Sequence, residues 1–116
     1  MFRLASQFIV RRWPLTIGVP RDGGTVEELS DPDNLTVDLK LWVPNSASAV
    51  IHDVLKAHVI GWSGISAEDG SELPFSAENL DMALRLSFLR QALWRALLEA
   101  SNGDAARKNS PAGSAG

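Results

Sequence analysis

His52, Asp53 and His58 are the only neighbouring imidazole and carboxylate groups, and they limit what chemistry the chain could perform. Positions 52 and 58 are about 600° apart on a helix, so the imidazoles point in different directions and do not form an i, i+4 metal pair. Asp31-Pro32-Asp33-Asn34 resembles the start of a calcium loop, but Leu35 takes the fifth position and no glycine follows at the sixth. Arg21-Asp22-Gly23-Gly24 lacks the Lys-Ser/Thr step and the following helix that cradle a phosphate. Gly61-Trp62-Ser63-Gly64 misses the spacing of a nucleophile elbow, and without cysteine few nucleophile and base pairs remain. Glu68 and Asp69 fall in an acidic glycine turn, where exposure gives no basis for acid–base work. The residues predict no catalytic group, no metal and no cofactor.

Composition narrows the function classes further. A chain of 116 residues fits one small domain, and zero cysteines leave its stability to apolar burial. A net charge of −3 argues against nucleic acid, whose phosphates call for clustered lysine and arginine; Arg11-Arg12 beside Trp13 does not reverse that balance. In the opening MFRLASQFIVRRWPL the longest apolar run is Phe8-Ile9-Val10, too short for a signal peptide, and no window approaches the roughly 20 apolar residues of a membrane span. The expectation is a soluble, cytoplasmic protein.

The elements that would carry a function change character along the chain. Residues 8–43 are β-rich: Leu15, Ile17 and Val19 alternate with Thr16 and Gly18, the run 20–24 turns, and residues 25–29 return as a hairpin partner. A second turn at 30–34 precedes a strand with Val37, Leu39, Leu41 and Val43 on one face and Thr36, Asp38, Lys40 and Trp42 on the other, ended by Pro44. Residues 46–60 take helical spacing, with Ser46 as cap, Val50, Ile51, Val54, Leu55 and His58 on one side, and Gly61 as the left-handed terminator. A longer helix starts at residue 77, with Ser76 as N-cap and Phe75 set to pack on Leu80 as a hydrophobic staple. Met82, Leu86, Leu89, Leu93 and Leu97 form its core stripe. Leu80, Leu84, Phe88 and Leu98 lie along the polar side, so either two sides are buried or the helix breaks near Ser87 and its halves rotate. The expected fold class is α+β, a small antiparallel hairpin or sheet followed by two to four helices. It forms one domain over 1–101 (8–43 β-rich, 46–101 helical), and 102–116 is a flexible tail without large apolar residues.

With catalysis set aside, surface remains. Four tryptophans, Trp13, Trp42, Trp62 and Trp94, are many for a chain with no tyrosine. Trp42 lies on the polar face of its strand, so it meets either another segment or a partner. Together with Leu84, Phe88, Trp94 and Leu98 it forms the candidate partner-binding set.

The connector VIGWSGISAEDGSELPFSAENL, residues 59–80, resembles a segment of the tail assembly chaperones of long-tailed bacteriophages. The likeness lies in a helix ending Val-x-Gly-Trp-x-Gly, an acidic glycine turn, and Pro-Phe-Ser-x-Glu-Asn-Leu. Gly61, Trp62, Gly70, Pro74, Phe75, Ser76 and Leu80 carry it. The following LRLSFLRQALWRALLEA is similar to the family's next helix or helix pair, and Lys108-Asn109 to its closing residues; the likeness spans roughly 36–109. The chain departs from the family at Leu41-Trp42 and Asn45-Ser46, where many members have a phenylalanine-rich strand and an acidic residue. The resemblance implies a non-enzymatic holdase that binds the tape measure protein, keeps it soluble in the host cytoplasm while tube protein assembles, and is absent from the mature virion. In many members a frameshifted longer form recruits tube protein; the doubled apolar stripe of the last helix could be covered by self-association as readily as by a client. The alternatives are a small phage or prophage inhibitor of a host protein and, third, a structural tail protein.

Overall fold

The computed structural model describes residues 7–42 and 50–103 and has an α+β architecture. Five strands, β1 (Ile9–Pro14), β2 (Thr16–Pro20), β3 (Val26–Ser30), β4 (Thr36–Lys40) and β5 (Val59–Ser63), form two antiparallel sheets, ordered β1-β4-β5 and β2-β3. Three helices, α1 (Ile51–His58), α2 (Ala77–Leu84) and α3 (Ser87–Asn102), account for the α-helical part of the described residues. Ser46, Pro44, Lys108-Asn109 and all but the first two residues of the expected tail lie outside the described residues.

The expected hairpin forms as β2 and β3, closed through a short 3-10 turn at Asp22–Gly24 and in register from Thr16↔Ser30 to Pro20↔Val26. It is nested between β1 and β4. Pro14 pairs with Thr36, the Leu15 amide donates to the Leu35 carbonyl at 3.0 Å, and Thr16 pairs with Ser30, while a turn at Asp31–Asn34 steps out of the ladder. The alternation of β4 places Val37 and Leu39 wholly in the core. Its buried Thr36 departs from the expected polar face, and the strand stops at Lys40 rather than Val43. On β1 a bulge between Val10 and Trp13 puts Arg12 at φ +56°. Asp38 holds that bulge: its carboxylate accepts from the Arg12 amide at 2.9 Å and lies 3.6 Å from the Arg11 guanidinium.

Two expectations change around residue 60. Helix α1 is shorter than predicted and turns Val54 and Leu55 into the core, while Val50 and Ile51 stay exposed. At Val59, whose amide closes the last turn onto Leu55, the chain passes straight into β5. Gly61 is therefore not a helix terminator. It pairs with Asp38, and a Cβ there would stand 2.7 Å from Asp38 Oδ2, so the position needs the space rather than a left-handed φ. The sequence reading missed β5 because Val59-Ile60 also continue the helical stripe, and sheet pairing decides between the two.

The long helix breaks. α2 ends at Leu84 and α3 begins at Ser87 with Leu86 as N-cap; Ser87 lies inside the helix and does not cap it. Arg90 reaches back to donate to the Leu84 carbonyl at 3.0 Å, satisfying an acceptor that the break frees. The core joins Leu15 and Ile17, Val37 and Leu39, Leu55 and Val59, Leu80 and Leu84, and Leu89, Leu93 and Leu97. Met82 and Leu86, expected in the core stripe, are 52% and 49% exposed.

Candidate docking groove

The connector between β5 and α2 is a built structure. Trp62 Nε1 donates to the Leu73 carbonyl at 2.9 Å, and its ring stands edge-on to Phe75 with centroids 5.0 Å apart. The Leu73 amide donates to Ile65 at 2.7 Å and the Ala67 amide to Ser71 at 2.8 Å, so residues 65–73 form a miniature hairpin with Gly70, φ +87°, at its turn. Asp69 accepts from both the amide and the hydroxyl of Ser71, which hold its carboxyl below the ordinary value of 3.8. At the far end Ser76 Oγ accepts from the Asn79 amide at 3.0 Å as the expected N-cap, and the Pro74 carbonyl accepts from the Asn79 side chain at 2.8 Å. Phe75 and the buried Leu80 line one cleft beside Val59. Trp62 is half-buried and packs against the core while bracing the connector.

This hairpin forms one wall of an apolar groove of about 460 Å³, completed by the α2–α3 joint. Ile65 and Leu73 line it from the connector, and Met82, Ala83, Leu86 and Leu89 from the helices, with Glu68 and Asn79 at the rim. Its size falls within the roughly 300–1,000 Å³ of ligand sites. It holds no catalytic constellation. An apolar side chain or one helix face is the kind of group it can desolvate.

The five residues proposed for partner binding do not gather into one surface. Trp42 and Trp94 face each other with ring centroids 5.2 Å apart, and the Trp42 amide donates to Ser101 Oγ at 3.0 Å, so Trp42 meets α3 of its own chain. Leu98, four residues beyond Trp94 and half-buried, shares that side of α3. Phe88 lies about 120° around the helix from Trp94 and packs partly onto the core. Leu84 is 1% exposed and offers no surface. Of the exposed apolar residues, Met82 and Leu86 are the ones that line the groove; an unbroken helical stripe places them in the core, and the break at the joint turns them out.

The two histidines serve separate joints. His58 Nδ1 lies 2.7 Å from the Lys40 carbonyl, which can only accept, so that nitrogen carries the proton. His52 Nε2 lies 3.2 Å from Asp81, which also faces Lys56 at 3.9 Å and Arg85 at 3.5 Å. Among the described residues no three His, Cys, Asp or Glu side chains gather into a metal-binding group, and no helix is long and apolar enough to cross a membrane. Comparison of the chain with known protein families, curated proteins and solved structures finds no match.

Proposed function

We propose that this chain is a tail assembly chaperone of a long-tailed bacteriophage, binding apolar helix of the tape measure protein in the groove between the connector and the α2–α3 joint. One observation carries the reading: the segment on which the family resemblance rests, residues 59–80, contributes Ile65, Leu73 and Asn79 to the groove lining, and the residues that carry the likeness, among them Trp62, Gly70 and Phe75, shape that segment without lining the groove themselves. An exposed Met82 and Leu86 beside buried Leu89 suit an amphipathic client helix laid along its apolar face. Binding of this kind lowers the concentration of free, aggregating client by mass action and needs neither ATP nor catalysis. The site of action is the host cytoplasm, with tube protein as a second contact during assembly.

The test is co-expression with the tape measure protein encoded next to this gene. The client stays in the supernatant and co-elutes with the wild-type chain. With Met82→Gln and Leu86→Gln together, folded by circular dichroism, it returns to the pellet. A client equally insoluble with and without the chain, or equally soluble with the double variant, overturns the proposal.

A further inference from the structure

Of the two outer edges of the β2–β3 hairpin, that of β3 is the more exposed. Among the described residues β3 pairs only with β2, and all five of its residues are exposed, Val26 by 65%. The phase of the ladder shows which backbone groups are unused. The Arg21 amide donates to the Thr25 carbonyl at 2.8 Å, making 21 and 25 a hydrogen-bonded pair. Alternation then makes 19/27 and 17/29 hydrogen-bonded pairs and leaves Val26, Glu28 and Ser30 with amide and carbonyl turned away from β2. Pro20, which has no amide to give, faces Val26 at a position where none is needed.

Charge selects what can occupy that edge. Residues 21–33 carry five carboxylates and one arginine, and that arginine, Arg21, is taken by Glu27 at 3.2 Å. Glu28 has no cationic partner among the described residues. At the end of β3 a recess of about 350 Å³ is lined by Glu28, Leu29, Ser30, Asp31, Asn34, Leu35 and Gly64, apolar at its leucines and acidic at Glu28 and Asp31, with Asp31 held in place by the Asn34 amide group at 2.9 Å. A second copy is a poor occupant: antiparallel two-fold pairing centred on Glu28 sets Glu28 against its own image, and like charges directly opposite destabilise a ladder.

We propose that the β3 edge is a second binding site, separate from the groove, that takes an extended basic segment of another protein as an added antiparallel strand. The residue opposite Glu28 shares its face and meets its carboxylate, and the residue opposite Ser30 reaches the recess beside Asp31. The residue opposite Val26 lies on its exposed side chain. Read along the incoming strand, the preferred pattern is basic-x-basic-x-apolar, with the main chain supplying affinity and the alternate side chains selectivity.

The experiment uses the full chain and the fluorescein-labelled peptide TKTKTVT, followed by anisotropy at low salt. The lysine peptide binds saturably, and Glu28→Lys with Asp31→Lys, both at exposed positions and checked for fold by circular dichroism, weakens it about ten-fold. TETETVT does not bind. A lysine peptide N-methylated on the amides that would face β3 loses binding, because its strand hydrogen bonds are gone. Failure of TKTKTVT to bind, equal binding of the N-methylated or glutamate peptide, or sedimentation showing β3 occupied by a second copy overturns the proposal.

Discussion

A Cβ built on Gly64 would stand 2.5 Å from the Asn34 carbonyl oxygen and 2.9 Å from Leu35 Cα, at a φ of +88°. The obstacle is backbone, which cannot swing aside, and the conformation itself strains any L side chain. Gly64→Ala is therefore expected to cost about 2 kcal/mol or more, read as a lowered urea midpoint at unchanged slope. The same glycine follows β5 and starts the connector, so its fit against the 31–35 turn fixes where the groove wall begins. Asp69 makes a pH-dependent contribution at the opposite end of that wall. Its carboxyl is held below 3.8 by the Ser71 hydroxyl and amide, so the turn gains from it above that value and loses the gain as pH falls through the lower folded value. A carbon-detected NMR titration of the Asp69 carboxyl should give a midpoint below 3.8, and Ser71→Ala should move it back up.

Helices α2 and α3 show how far spacing alone could be read. Leu80, Leu89, Leu93 and Leu97 were legible as apolar positions, and Ser76 as the start, because local chemistry specifies each without help from the rest of the fold. Which stripe entered the core was not legible, since Leu80-Leu84 and Met82-Leu86 have the same i, i+4 spacing and only the turn at Arg85-Leu86 separates them. The structure puts the first pair inside and leaves the second on the surface. The two pairs should thus respond oppositely to substitution. Leu84→Ala should cost about 2–5 kcal/mol, whereas Met82→Gln and Leu86→Gln should each change stability by less than about 0.5 kcal/mol in chemical denaturation. β5 was not legible for the complementary reason: pairing with β4 depends on residues 20 to 27 positions away, and no local signal records it. The connector's turn at Gly70 and cap at Ser76 were legible as positions, but the groove beside them depends on the break in the helix.

At the scale of the molecule, the two sheets and three helices share one set of buried side chains, running from Leu15 and Ile17 through β4 and α1 to α3. Tryptophan fluorescence and far-ultraviolet circular dichroism should therefore report a single, coincident unfolding transition; separated midpoints would mean that the hairpin and helical parts melt independently. The nested strands carry a kinetic consequence as well. Pro14 and Thr36 pair across a long stretch of chain, which would ordinarily impose a large loop-closure entropy on the folding barrier. Here the interval is already bridged by β2 and β3, so each pair that closes outward from the turn at Asp22–Gly24 brings the next within short reach. The strand pairing most distant in sequence among the described residues, β1 with β4, can therefore close as a series of local steps, so folding is expected to be faster than its sequence separation alone would set.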